Sequence, residues 1–330
     1  MSTSRRQFLC RGFAFAAASA FPLPLPAYGG GQPNKVRIAI IADVHQDVMH
    51  DAPERLGAFL RQATLWEADA VLEMGDFCTP KPANRAFADL FEGFKGKRFH
   101  VLGNHDTDGG FKREQVVAFH GMAARYYSFD LGGIHGVVLD ANDVPPDHRG
   151  GYPSFINDEQ IEWLRNDLAG TDLPVFVFSH QSLERPTCIR SQEKVRAVLE
   201  QAKRVDGAPK VAACLNGHWH IDHWRRINGI PYIHINSASY YWVGSEFRRE
   251  RYDPAIHKAH PSLSSTAPYR DPLFSLLEVD FSRQSFSLNA ARSTWVGPSP
   301  QEMGVKSSGV EAVWITPNCS AREARFGSGK

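Results

Sequence analysis

Cysteine is scarce in this chain. Five occur in 330 residues, at Cys10, Cys78, Cys188, Cys214 and Cys319, and no two have CxxC spacing. That excludes a disulfide-built scaffold, although an oxidising compartment would still permit a bridge among the last four, with three possible pairings. Charge of one sign is also lacking: the formal net charge is +1, so no long-range field draws the chain towards nucleic acid or an anionic membrane, and neither partner is indicated. Internal repeats and low-complexity domains are absent. What is present is 42% hydrophobic content over 330 residues, enough core for one large domain or two modest ones.

The N-terminus reads "MSTSRRQFLC", then Arg11, the apolar "FAFAAASAF" and "PLPLPAYGG". A charged segment, a short apolar segment and a Pro/Ala-rich segment in that order make a signal peptide. The apolar stretch is too short for a bilayer, which needs about 20 residues, and Pro22, Pro24 and Pro26 would end a helix. Ser4, Arg5, Arg6, Gln7, Phe8 and Leu9 resemble a twin-arginine export signal. The resemblance implies a bacterial protein exported folded by the twin-arginine translocation machinery to the periplasm or beyond, often with its cofactor inserted. Cleavage near Ala27 would remove three arginines and no acid, leaving the mature chain close to neutral. Residues 1–33 are thus expected to be signal and linker, and 34–330 a single domain.

From Val36 the chain alternates short apolar runs with amphipathic segments. "VRIAIIAD", "ADAVLEMGD", "KRFHVLGNHD", "PVFVFSH" and "VAACLNGHWH" read as buried strands ending in polar residues. A helix is expected after Asp51 and Pro53, with Leu56, Phe59, Leu60 and Ala63 on one face. Another begins near Asn157, where Gln160 is placed for a capping-box exchange and Ile161, Leu164 and Leu168 form the stripe. Further helices fit Asn84 to Phe94 and Ser191 to Arg204. "YYSFDLGGIHGVVLDA", "IPYIHINSA" and "LFSLLEVDF" with "SFSLNAA" carry the alternation of antiparallel hairpins. The stretch 244–272 reads as an irregular insertion or lid loop, and the chain after Val296 has no assignable pattern.

The strand ends supply oxygen and imidazole donors: Asp43 and His45, Asp76, Asn104 and His105, His180, His218 and His220. Loops at the carboxyl ends of neighbouring strands converge on one crevice, so one place would receive them all. Asp43 and His45 alternate at period two and can face one way, as can His218 and His220. A lone strand-end histidine such as His180 is more often structural, and a lone Asn104 a turn residue; their joint occurrence reverses both readings. His50, His100, His120, His135, His148, His223, His234, His257 and His260 lack such context and read as structural or surface residues.

In order, Asp-x-His, Gly-Asp, Gly-Asn-His-Asp, a lone His and Gly-His-x-His resemble the calcineurin-like metallophosphoesterase family. The resemblance implies a four-layer α/β/β/α sandwich of two mixed sheets and a site for two transition-metal ions. It puts Asp43, His45, Asp76 and His220 on one ion and Asp76, Asn104, His180 and His218 on the other, with Asp76 bridging. Mixed nitrogen and oxygen ligation suits Mn, Fe or Zn. The implied reaction is direct attack of a metal-bound hydroxide on phosphorus. The resemblance further implies that Asn104 and His105 face the substrate, that His105 acts as acid for the leaving group or as a transition-state donor, and that Asp106 is its orienting partner.

Departures narrow the substrate. No Asp-Arg-Gly follows the Gly-Asp of "GDFCTPK", unlike phosphoprotein phosphatases, and Thr79 stands where purple acid phosphatases carry tyrosine. The second half is too short for the substrate domain of periplasmic nucleotidases. What remains resembles the compact branch that includes cyclic-nucleotide phosphodiesterases, which shares the Gln160 to Leu164 "Q-x-x-W-L" helix, and implies a small phosphodiester or phosphomonoester. Tyr240, Tyr241 and Trp242 are assigned either to core packing or to stacking on a base or aromatic leaving group. Arg248, Arg249 and Arg251 form either a solvated loop or a phosphate contact. A non-catalytic scaffold of the same fold would be expected to have lost a ligand, and none is replaced.

Overall fold

The computed structural model of the chain describes residues 34–327 apart from 187 and 308; the expected signal and linker at 1–33 lie outside them. The strands β1 (Lys35–Ile41), β2 (Ala70–Glu73) and β3 (Lys97–His100) are parallel neighbours. A hairpin of β4 (Tyr127–Leu131) and β5 (Ile134–Leu139) opens a second sheet, continued in parallel by β6 (Val175–Ser179), β7 (Val211–Asn216) and, beyond the antiparallel β8 (Trp224–Ile227), β9 (Ile230–His234). The short pair β10 (Tyr240–Trp242) and β11 (Thr266–Pro268) leads back to the first sheet. There β12 (Ser275–Asp280) pairs with β1, and β13 (Ser285–Leu288) pairs with β12. After the small ladder of β14 (Ala291–Arg292) and β15 (Asn318–Cys319), β16 (Arg322–Arg325) closes that sheet's edge. Both sheets are six-stranded and mixed, in the orders β16-β13-β12-β1-β2-β3 and β4-β5-β6-β7-β9-β8.

The layering follows from period-two alternation. In β1, Ile38 and Ile40 meet Val138, Phe176 and Phe178 of the facing sheet, while Ala39 and Ile41 face Leu56, Phe59 and Ala63 of α1 (Ala52–Leu65) and Phe87 and Phe91 of α2 (Arg85–Glu92). Past α3 (Arg113–His120) the second sheet repeats the scheme. Its Val137, Val175 and Val177 pack on Ile161, Leu164 and Leu168 of α4 (Asp158–Ala169) and on Val195 and Leu199 of α5 (Gln192–Gln201). The result is a four-layer α/β/β/α sandwich whose strands are apolar on both faces because both are covered. Among the described residues no helix is long and apolar enough to cross a membrane.

Several boundaries differ from expectation. The helix expected over 84–94 begins as a tight turn at Pro82–Asn84 and stops at Gly93, and that expected over 191–204 is shorter at its end. Asn157 does cap α4 by accepting the Gln160 N–H at 2.8 Å. The Gln160 side chain, however, turns inward to the Asp140 backbone (2.8 and 2.9 Å) instead of completing a capping box. The stretch 244–272 is more regular than its sequence suggests: it holds α6 (Pro254–Ala259), a further tight turn and β11. Cys78, Cys188, Cys214 and Cys319 are free and buried.

One buried polar bridge steadies the strand ends. His100 Nδ1 lies 2.9 Å from Glu73 and its Nε2 3.1 Å from Glu92, joining β2, β3 and α2. Burial alone would lower the His100 pKa, but hydrogen bonds and charge from the two carboxylates outweigh it and raise it to about 9. Since that exceeds the 6.5 of a free imidazole, the pairing stabilises fully below pH 6.5 and is lost as pH climbs through 9. Urea unfolding from pH 6 to 10 is therefore expected to show the unaltered protein losing roughly 2–3 kcal/mol relative to His100→Gln. Parallel pH profiles for the two proteins would contradict this account.

Candidate metal centre

Each donor lies just past the end of a strand, in a loop tied to its neighbour by backbone hydrogen bonds. Asp43 and His45 follow β1, and their N–H groups donate to Gly75 and Asp76 carbonyls at 3.1 and 2.9 Å. The His105 N–H donates to Asp76 Oδ1 at 2.8 Å, and the His218 N–H to Asp43 at 3.1 Å. These are not extended segments with simple alternation, as expected for Asp43 with His45 and for His218 with His220. Asp43, His45, Asp76, His218 and His220 all have left-handed φ, between 51° and 71°. Asp and His are among the side chains that tolerate this region best.

The side chains gather in two groups, Asp43 with His45 and His220, and Asp76 with His180 and His218; within each group the donor atoms lie within 4.8 Å of one another. Asp76 reaches both, its Oδ2 standing 3.1 Å from His180 Nε2 and 3.7 Å from His45 Nε2. Asp43 Oδ1 is 3.2 Å from His220 Nε2. The inner nitrogens are engaged: His180 Nδ1–H donates to the Met74 carbonyl at 2.8 Å and His220 Nδ1–H to that of Tyr240 at 2.6 Å. Each ring thereby turns Nε2 towards the carboxylates, the orientation that metal-ligating histidines adopt. The third oxygen donor, Asn104, is 2% exposed, and its Oδ1 has no hydrogen-bond partner. A buried carbonyl oxygen left unpaired is costly unless a cation takes it.

Electrostatics favours a cation at the same place. Burial pushes the Asp43 and Asp76 carboxyls up, but the charges of His220 and His180 beside them hold both below the usual range. Burial lowers His45 to about 3, and His218 likewise to about 3 with the help of His180, so both are neutral and able to ligate. His180 moves the other way: against burial, Asp76 and Asp43 raise it to about 10. The two carboxylates thus hold positive charge between them.

The assignment of Asp106 as partner of His105 needs correction. His105–Thr107 is a 3₁₀ turn, in which side chains at i and i+3 eclipse, so the residue over the imidazole is Asp108. His105 Nδ1 lies 2.7 Å from Asp108 Oδ2 and 3.0 Å from the Tyr152 hydroxyl. Asp106 turns into the protein and accepts the N–H groups of Gly103, Phe77 and Asp76 at 2.7, 2.8 and 3.2 Å, stitching two donor loops together. Burial lowers the His105 pKa, but Asp108 and Asp76 more than compensate and raise it. The signal for Asp108 was present as an acid three residues after His105; nothing local marked Tyr152.

The proposed substrate contacts also change. Tyr240 is fully buried and its ring stacks 5.1 Å from His45, so it supports that imidazole from beneath. Tyr241, on the opposite side of the strand, is 5% exposed and bonds Ser307. Arg248 is exposed and donates to Ser265. The aromatic of this strand that reaches the rim is Trp242, half-buried and 6.1 Å from the His105 ring.

Residues 36–222, more than half the chain, match the sequence profile described as calcineurin-like phosphoesterase. The chain belongs to the calcineurin-like phosphoesterase family. Members of this family are metal-dependent hydrolases that use dinuclear metal ions. A probable cyclic nucleotide phosphodiesterase from Rhodococcus erythropolis is 28% identical over 147 residues, covering 42% of this chain and 45% of that protein. The chain therefore aligns with less than half the length of that relative. A dimetal phosphatase from Danio rerio superposes with a TM-score of 0.55 at 15% identity, covering 79% of this chain and 98% of that one. GAP50, the anchor in the inner membrane complex of Plasmodium, does so with 0.51 at 12% identity, covering 90% of each. These two likenesses concern the fold.

Close approach of the loops explains why glycine precedes the donors. A Cβ on Gly103 would overlap the Asp76 backbone nitrogen and Oδ1. Gly103→Ala is accordingly expected to displace the shared carboxylate and weaken Mn or Zn binding by at least about tenfold in calorimetric titration, with far-UV dichroism unchanged. Unaltered metal affinity would show that Asp76 is not held by this contact.

Proposed function

We propose that this protein is a metal-dependent hydrolase of a small phosphodiester or phosphomonoester. The observation that carries the reading is the Asp76 carboxylate shared between two donor groups, with His105 at their rim. Asp43, His45, Asp76 and His220 would hold one ion, and Asp76, Asn104, His180 and His218 the other; the nitrogen and oxygen donors suit Mn, Fe or Zn. When bound, such a pair of ions supplies positive charge that acidifies water and offsets charge on the phosphoryl oxygens. The chain's own contribution to bond breaking is His105. With Nδ1 held by Asp108, the imidazole presents Nε2 to the substrate, and its raised pKa keeps a proton available for the departing ester oxygen.

The name of the Rhodococcus relative makes a nucleotide-type diester a substrate to test early. We also propose export by the twin-arginine machinery, a reading supported by the run from Ser4 to Leu9.

The decisive experiment measures hydrolysis of bis(p-nitrophenyl) phosphate and p-nitrophenyl phosphate by protein loaded separately with Mn, Zn or Fe. Turnover is expected with metal and not with Asp76→Asn, and the preferred ester separates diesterase from phosphatase. His105→Gln is expected to lower kcat on the order of 10²- to 10⁴-fold on unactivated esters, and Asp108→Asn about tenfold with the melting temperature unchanged. Asp106→Asn should instead lower stability, by about 1–3 kcal/mol. Two bound ions without turnover of either ester would favour a non-catalytic metal-binding scaffold.

A further inference from the structure

We propose that the cavity beside Asn104 is the subsite for the alcohol part of the ester, that it takes an uncharged group with a flat apolar face, and that Tyr152 governs both this preference and the orientation of His105. The inference rests on the phosphoesterase reading.

The cavity has a volume of about 280 Å³, and Asn104 and Tyr152 are both among its lining residues. It therefore begins at a donor for the reacting phosphoryl group and passes the residue hydrogen-bonded to the acid. The other cavity at the centre, bordered by His45, Asp47 and His105, holds only about 30 Å³, room for a water and not for an organic group. Phe111, Val144, Pro153 and the Tyr152 ring supply the apolar part of the larger cavity's wall, the rest being polar or charged. Val144 and Tyr152 are 63% and 48% exposed, and large apolar side chains left open around a catalytic rim mark a surface that a ligand covers.

Charge decides what kind of ligand. Of the two cations on the wall, Arg113 is already paired with Asp140 and Asp143 at 2.6 and 2.9 Å. Lys112 is left beside Glu114, both exposed. A second phosphate would find no cationic clamp here, whereas an uncharged ring would bury apolar wall.

Tyr152 belongs to both functions. Its hydroxyl donates to Asp108 Oδ1 at 2.6 Å and lies 3.0 Å from His105 Nδ1, while its ring stands 4.8 Å from the imidazole and lines the cavity. Gly150 and Gly151, with φ of 116° and 75°, give the chain the backbone path that brings Tyr152 to this contact. A group filling the cavity rests on the ring whose hydroxyl positions His105.

The test compares binding of phenylphosphonate and 2-naphthylphosphonate, neither hydrolysable, to Mn-loaded protein by calorimetry, alongside turnover of phenyl and 2-naphthyl phosphate. The extra ring is expected to tighten binding about tenfold. Tyr152→Ala should reduce that ratio to about one. Tyr152→Phe should preserve it while lowering kcat on phenyl phosphate about tenfold, because only the hydroxyl is lost. A ratio near one in the unaltered protein, no binding of either phosphonate, or a ratio insensitive to Tyr152→Ala overturns the subsite. An unchanged kcat in Tyr152→Phe overturns the positioning role. If the binding preference holds but neither ester is turned over, the phosphoesterase reading fails and with it the alcohol subsite, leaving the cavity as a binding site for flat apolar groups.

Discussion

The centre depends on Asp76. Its carbonyl takes the His45 N–H, its Oδ1 the His105 N–H and its own N–H goes to Asp106, while Oδ2 faces His180 and His45. Four loops are thus referenced to one residue that is 2% exposed. An ionised carboxylate at that depth is tolerated only beside compensating positive charge. The histidines around it meet part of that demand, and the unpaired Asn104 oxygen adds a further demand that protein groups leave unmet. The arrangement suits cations, and this electrostatic requirement acts together with packing to fix where the loops go.

Holding the donors there costs backbone strain. Among the described residues eight non-glycine positions have left-handed φ, and five of them are candidate ligands, at roughly 1 kcal/mol or more each. The four-layer core sustains this: two sheets sharing one apolar interior fix the strand ends, and the loops have only to span short distances between them. Two buried acids add a second tier of support. Glu73, braced by His100, accepts the Gly75 N–H at 2.7 Å, and Asp106 joins the loops that carry Asp76 and Asn104. Neither acid needs to meet substrate to matter for the chemistry.

Legibility in the sequence followed the range of the interaction. The apolar runs of β1, β2, β6 and β7 and the polar residues ending them were readable because a doubly covered strand is apolar throughout and its ligand follows within a few residues. Helix α3 was missed since only Val116 and His120 of its eight residues are buried, leaving no stripe to detect, and β16 because an edge strand of alternating charge resembles a loop. Asp106 was given the role of Asp108 because adjacency in sequence was taken for adjacency in space, and a 3₁₀ turn reverses that. For Tyr240 both packing and stacking on a substrate were open, because composition cannot tell a ring beneath a ligand from one above it, and its full burial decides for packing. Tyr152 meets His105 across 47 positions, a contact set wholly by tertiary structure.

The aromatic surroundings of His105 bear on how such a site discriminates among esters. The ligand imidazoles His45, His180 and His220 are at most 4% exposed and locked by backbone carbonyls, carboxylates or stacking, so the metal-binding part is rigid and carries little information about the alcohol. His105 stands partly open, as does His218, and Trp242 and Tyr152 lie against the His105 ring. In the proposed reading, these two rings and the loops that present them distinguish one phosphoester from another. A rigid donor cage and a separately built rim would allow the proposed chemistry to serve different alcohols by exchange of rim residues, since the residues assigned to the ions and those assigned to the ester share only Asn104.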